Sequence, residues 1–476
     1  MKKAIFFLGS LLLLLTPFAA SAKTEDTKQK ITNFMEESLD MYNIPGTSLA
    51  ILENGETIYH NQWGGLSDGS NVTADTPFLI GSLSKPITSL AIMMLVEDGK
   101  IRLDEPIQSY IPSFTYQTDS SKQITVLHLL EQTSGISALE GLKVTDKDWP
   151  KEGAINQAIK ELSGVALSHE PGEVYEYNSA NYLLLGSIIE NVSNQTFSDF
   201  LHMNIFIPLG MKNSAADYES AVEKGYIPGF KSWFGKAVVS DGFYDHAGAP
   251  YGYIASSSND LAKFLTFMLE GGDLLSEQNL KLLKTPPEEG KTYGYGWHFS
   301  KTEHFPYHGG ATSDFRTQMF LMPEENIAAV LLTNKYNFIE DAQVSHIMNG
   351  IQSILNGKEP DELPVQSYSI QWSILGVTLL LAILTIIHFF SLRRKKVLNK
   401  KIPFTVGIIS LLLAVGLIPL FVYVTGTPWK SIRFFAPDIS LLIYCLVVIF
   451  ALNGIVTLII TIIKKNYLSM SLSKRL

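Results

Sequence analysis

Residues 75–114 read DTPFLIGSLSKPITSLAIMMLVEDGKIRLDEPIQSYIPSF. Within it, Ser82-Leu83-Ser84-Lys85 opens a helical pattern that follows Phe78-Leu79-Ile80-Gly81 and runs through ITSLAIMMLVEDGKI to a stop at Gly99. On a helix, residues three apart share a face, so the Lys85 amine can reach the Ser82 hydroxyl. A serine hydroxyl is a weak nucleophile until a base takes its proton, and a lysine serves as that base where its surroundings lower its pKa. The helix N-terminus adds backbone N–H groups and a positive dipole end, which favour developing negative charge. Pro86 falls in the first turn, where a missing N–H costs least. The short motif alone decides nothing, because the same letters recur as Ser471-Leu472-Ser473-Lys474 in the C-terminal tail.

The surrounding chain supplies a frame. An amphipathic helix is expected from Ile31, Phe34, Met35, Leu39 and Met41 before Pro45-Gly46. TSLAILENGETIYHNQWG then alternates like two strands, with Asn54-Gly55 as the hairpin turn. Helical pattern returns at NYLLLGSIIENV and NDLAKFLTFMLEGG, and FRTQMFLMPEENIAAVLLTN reads as two strands around a turn. Strands at both ends of the segment with helices between predict an α+β fold, an antiparallel sheet flanked by helices plus a helical lobe, over residues 23–356.

The two ends of the chain read differently. Lys2 and Lys3, the apolar run Ala4–Ala19 and Ala20-Ser21-Ala22 make residues 1–22 a signal peptide. After a linker at 357–369, apolar stretches at 370–392, 403–424 and 439–463 are each long enough to cross a hydrocarbon core of about 30 Å. The basic loop Arg393–Lys401 and the basic tail put those segments in the cytoplasm, so the C-terminus is expected inside and residues 23–367 outside, in a multi-pass protein of the cell membrane. The extracytoplasmic part carries 23 Lys and Arg against 45 Asp and Glu, a net charge of −22, which excludes a nucleic-acid binder. Cys445, the sole cysteine, lies within the third apolar stretch, so no disulfide or thiolate metal site is expected in the main domain. No metal motif and no cofactor motif is present.

From Ile44 to Phe114, and then in ITVLHLLEQTSGI (124–136), PGEVYEYNSANYLLLGSIIE (171–190), SSNDLAKF (257–264), YGYGW (293–297) and YHGG (307–310), the chain resembles the serine β-lactamases and penicillin-binding proteins, phrase by phrase and in order. The resemblance implies a β-lactamase/transpeptidase-like fold with Ser82 as nucleophile and Lys85 as its partner. It also implies a Tyr-x-Asn wall, placed here at Tyr177-Asn178-Ser179, so that Ser179 stands where the family has asparagine. A Tyr177 with lowered pKa would relay protons. A second register, Ser179-Ala180-Asn181, fits the Ser-x-Asn form of other branches. The third family motif, a Lys or His, a small residue and a glycine on a strand edge, matches His308-Gly309-Gly310. Ala311 then supplies an oxyanion donor together with the Ser82 N–H. Arg316 is a candidate reader of a carboxylate or a solvent-facing strand residue, whereas His128 and Asp260 read as structural.

The expected activity is acyl transfer through a Ser82 ester, on cell-wall D-alanyl peptides or esters or another small-molecule acyl substrate. The alternatives are a β-lactamase, a general esterase, or a receptor that is acylated without turnover.

Overall fold

The computed structural model describes residues 25–288, 290–301, 305–394 and 401–473, with side chains up to residue 463. The expected signal peptide at 1–22, residues 395–400 of the basic loop, and Lys474 and Arg475 of the tail lie outside the described residues. The chain divides into two compact units, one running to Gln366 and the other from Ser367 onward, with Asn337–Ile339 grouped with the second.

The first unit is built on an antiparallel sheet of seven strands: β1 (Gly46–Glu53), β2 (Glu56–Gly64), β3 (Tyr293–Gly294), β4 (Trp297–Phe299), β5 (Pro306–Ala311), β6 (Arg316–Met322) and β7 (Ile327–Thr333). Their spatial order is β2-β1-β7-β6-β5-β4-β3. The strands from the two chain ends thus interleave, with β1 paired to β7 in the register Ala50↔Val330. Asn54 and Gly55 both take positive φ, 52° and 74°, as a two-residue hairpin turn between right-twisted strands requires.

The expected alternation holds for which face a side chain takes, but not for exposure. All of β1 except Glu53 is buried, because helices cover both faces of the sheet. Leu49, Ile51, Phe320, Ala329 and Leu331 pack with α1 (25–42) and α5 (Ala342–Leu355). Ala50, Leu52, Met319, Val330 and Leu332 face α4 (Ser258–Glu270) and the helical lobe.

That lobe is organised by α2 (Ser84–Glu97) and α3 (Ser179–Ser193). Both are buried around most of their circumference, as helices at the centre of a core are. Asn178 caps α3 by accepting from the Ala180 N–H at 2.9 Å, and Ser89 of α2 meets the Tyr182 hydroxyl of α3 at 3.2 Å. The first turns of both helices consequently point to one place beside the sheet. His128 and Asp260 are structural, as expected: His128 completes a reciprocal capping box with Thr125, and Asp260 accepts from the Asn213 N–H and the Ser214 hydroxyl.

In the second unit, Ser369–Arg394, Lys401–Thr425 and Pro437–Ile463 are long and apolar enough to cross a membrane. The third helix continues to Ser473, beyond the expected end of the span, and a short helix, Trp429–Phe435, precedes it.

Candidate active site

Ser82 lies in a single 3₁₀ turn, Gly81–Leu83, that leads directly into α2 rather than in the α-helix itself. Gly81 takes φ +57°, and a side chain there would overlap the Ala311 amide. Gly310 is equally constrained, since a Cβ would run into the Ile80 carbonyl, while Thr317 Oγ1 donates to that same carbonyl at 2.7 Å. Two glycines therefore let β5 and the serine turn press backbone to backbone, which brings the Ala311 N–H beside Ser82. Strand β4 pairs with β5 only at Tyr307 and Pro306, so residues 308–311 form the open half of the strand, facing the serine.

Lys85 is fully buried and its Nζ has three acceptors: Ser82 Oγ at 2.9 Å, the Tyr251 carbonyl at 2.8 Å and Ser179 Oγ at 3.4 Å. An ammonium has three N–H donors, so each is used. Burial draws its pKa down to about 7, opposed by the negative charge of Asp146. The rings of Tyr177, Tyr182 and Tyr251 surround it, with centroids 4.9, 5.7 and 5.9 Å from Nζ. Gly296 leaves space for this helix start, as a Cβ would come within 2.8 Å of the Lys85 carbonyl.

Tyr177 stands where expected but not in the expected ionisation state. Burial raises its phenol well above the ordinary range, with the Ser82 hydroxyl pulling the other way, so the residue is a neutral O–H and not a phenolate. Its ring stacks on His298 at 5.8 Å and meets Tyr293 edge-on at 5.8 Å.

In the Ser179-Ala180-Asn181 register the asparagine side chain is turned into the core. Asn181 is fully buried, with Oδ1 accepting from Ser134 Oγ and Nδ2 donating to Gln132 Oε1, both at 2.6 Å. Asn178 is buried too, its amide donating to the Ile136 and Ser137 carbonyls. Besides Tyr177, Ser179 is the polar residue of this turn placed toward Lys85.

His308 is buried, and its Nδ1 donates to the Gly309 carbonyl at 2.7 Å, which leaves Nε2 a lone-pair acceptor without a protein partner among the described residues. Burial, then His298 and Lys85, hold its pKa far below the ordinary value. His298, invisible as a site residue in a sequence whose histidines are scattered, lies 4.9 Å from the His308 ring, and burial with Lys85 pulls it down to about 4. The wall opposite Ser82 is accordingly aromatic and uncharged.

Arg316 is not solvent-facing, and its guanidinium is engaged by the protein. It is 8% exposed, Nη1 donates to the Gly310 and Thr317 carbonyls at 3.0 and 2.8 Å, and Nε pairs with Asp341 at 3.1 Å. Its guanidinium fills the space where a side chain on Gly309 would stand. Among the described residues no group of three or more His, Cys, Asp or Glu could hold a metal ion.

Residues 28–347 match the family model described as Beta-lactamase. Protein flp of Staphylococcus aureus (strain MW2) is 29% identical over 378 residues, covering 77% of this chain and 74% of that one. A Bacillus subtilis (strain 168) protein named as a penicillin-binding protein, PbpX, is 28% identical over 344 residues, covering 70% and 80%. Among solved structures, the octameric penicillin-binding protein homologue from Pyrococcus abyssi superposes with a TM-score of 0.60 at 26% identity, covering 73% of this chain and 81% of that one. A family match across most of the unit that holds the serine turn agrees with the interleaved sheet and the two converging helices: the chain belongs to the β-lactamase family and is a serine hydrolase.

Proposed function

We propose that Ser82 attacks the carbonyl of a cell-wall D-alanyl ester or peptide, forming an acyl-enzyme that is released to water or to another acceptor. Lys85, as free amine, takes the Ser82 proton. The Tyr177 hydroxyl gives its proton to the departing alcohol or amine as the Lys85 ammonium returns the serine proton to it, and the Ser82 and Ala311 N–H groups hold the oxyanion. Ser179 and the His308 wall, with Gly309 and Gly310, border the acyl donor.

The observation that carries this reading is the 2.9 Å bond between Ser82 and a buried Lys85 whose pKa lies near neutrality. Preference for D-alanyl esters, which carry no free carboxylate, over β-lactams is supported by the uncharged His298–His308 wall and by the missing hydroxyl at Gly309. Both leave less to hold the carboxylate of a β-lactam, and one hydrogen bond to a charged group is worth about 1.5–3 kcal/mol. The test is intact mass spectrometry of the detergent-solubilised protein after exposure to D-alanyl esters, D-Ala-terminated peptides and β-lactams, with rates for each. The expected result is an adduct on Ser82 from a D-alanyl donor and a nitrocefin kcat/KM below about 10⁵ M⁻¹s⁻¹. A faster nitrocefin reaction with no D-alanyl adduct overturns the substrate class, and an adduct mapped elsewhere overturns the nucleophile.

We further propose that the catalytic unit faces outward and the C-terminus inward, on the strength of the basic residues between the first two spans and after the third. Labelling of a cysteine placed at Asn399 by an impermeant reagent in intact cells, on a Cys445-free background, would overturn that orientation.

A further inference from the structure

The loop that follows the short helix Ala138–Val144 crosses the turn formed by residues 245–253. Asp146 in that loop has φ +52°, an uncommon conformation for a residue with a side chain. Hydrogen bonds hold it there. Its backbone N–H donates to the Tyr251 hydroxyl at 3.0 Å and its carboxylate accepts from the Tyr253 hydroxyl at 2.7 Å. The next residue, Lys147, donates its N–H to Asp245 at 3.1 Å, and the Tyr251 hydroxyl donates to the same carboxylate in a very short bond. Gly248 makes the turn this tight, because a Cβ there would overlap the Tyr253 ring.

Tyr251 is the residue on which these bonds meet the catalytic centre. Its carbonyl accepts from Lys85 Nζ at 2.8 Å, and its hydroxyl ties down the Asp146 loop. A buried amine with no anion near it is costly to protonate. Asp146 supplies the anion, and its loop fixes the carbonyl that aims the amine.

We propose that Asp146 is a positioning residue for acylation, acting on Lys85 through the Tyr251–Tyr253 clamp. The inference rests on the reading of Lys85 as the base for Ser82. The other groups facing Lys85 carry no opposing charge: the phenols Tyr177 and Tyr182, the hydroxyls of Ser82 and Ser179, and the neutral imidazoles of His298 and His308. Asp245 stands behind Tyr251, bonded to its hydroxyl, with burial pushing its carboxyl up to about 7.

The sign follows from the chemistry. Burial favours the free amine of Lys85, whereas the Asp146 carboxylate favours the ammonium. Removing the carboxylate therefore lowers the pH at which Lys85 becomes a base, and the acid limb of the acylation rate moves down.

The experiment measures the second-order rate of Ser82 acylation by a fluorescent serine-directed probe between pH 5 and 9, on the full chain in detergent. The variants are Asp146→Asn, Asp146→Gly and Asp146→Glu. Asparagine and glycine both tolerate positive φ, so the charge is removed twice without imposing backbone strain. The expected result is an acid limb lowered by at least about half a pH unit in both, or about a threefold rise at low pH relative to the plateau. The plateau itself should fall severalfold as the Tyr251 carbonyl is released. Asp146→Glu keeps the charge and should return the limb toward the wild-type position. A limb that stays in place or moves up in the Asn and Gly variants overturns the proposal, whatever happens to the plateau. Lys85→Met measured alongside separates the two readings: if it keeps the wild-type rate and limb, Lys85 is not the base and the parent reading falls with this one.

Discussion

Lys85 and Tyr251 are joined by a 2.8 Å hydrogen bond from the lysine Nζ to the tyrosine main-chain carbonyl, across a separation of 166 residues. That bond completes the amine's acceptors and directs one remaining N–H at Ser82 and the other at Ser179. When the amine loses its proton it keeps two donors and gains a lone pair, which can accept the Ser82 hydroxyl proton without any movement of the side chain. The arrangement therefore works in both directions of a proton transfer.

Ser82→Ala should abolish covalent labelling by a serine-directed probe and leave the melting temperature nearly unchanged. Ser82 is half-buried, whereas Ser84 is buried with its hydroxyl donating to the Gly81 carbonyl at 2.8 Å. Persistent labelling, with peptide mapping to Ser84 or Ser179, would sink the assignment.

The acylation rate should rise through about pH 7 as Lys85 becomes the free amine. Lys85→Ala and Tyr177→Phe should each slow acylation by about a hundredfold or more, the size of a lost positioned proton transfer. Stability gives an independent readout. The folded-state pKa lies below the unfolded value, so the folded protein binds fewer protons and gains stability as pH rises from about 7 toward 10.5. Lys85→Met, which removes that penalty, should raise the melting temperature at pH 6 by a few degrees more than at pH 9. An equal change at both pH values would show that Lys85 is not strained by its burial.

Ser179→Ala and Asn181→Ala should separate by phenotype. Loss of Ser179 removes a hydroxyl beside Lys85 and should lower the acylation rate at unchanged stability. Loss of Asn181 leaves Gln132 Oε1 and the Ser134 hydroxyl short of a partner in the core, at a cost of about 1–3 kcal/mol, read as a lower melting temperature. A stable Asn181→Ala protein with altered substrate preference would restore the Ser-x-Asn register.

Arg316→Met should destabilise the fold by about 1–3 kcal/mol, because the buried Gly310 and Thr317 carbonyls lose their donor. The ratio of acylation rates for carboxylate-bearing and carboxylate-free donors should stay within about twofold. A tenfold change in that ratio, about 1.4 kcal/mol of discrimination, would mean that the guanidinium reads substrate after all.

Local pattern and order along the chain were enough for the architecture. Asn54-Gly55 named the hairpin, the periodicity of 181–192 and 259–272 named two helices, and strands at both ends with helices between them named the α+β class. These features depend on neighbours in sequence, through turn conformation and the spacing of apolar residues. The Ser82–Lys85 pairing was legible for the same reason, since three residues on a helix start is a local distance. What lay beyond reach was every relation set by packing. His298 joins His308 because β4 pairs with β5 at Tyr307. Tyr177 is neutral because burial outweighs its neighbours. Asn181 is a core residue because the first turn of α3 turns it toward Gln132 rather than Lys85. Asp146 bears on Lys85 only because the turn at 245–253 lies between them. Ionisation and hydrogen-bond partnership are decided by which groups share a water-excluded space, and that is a property of the folded chain.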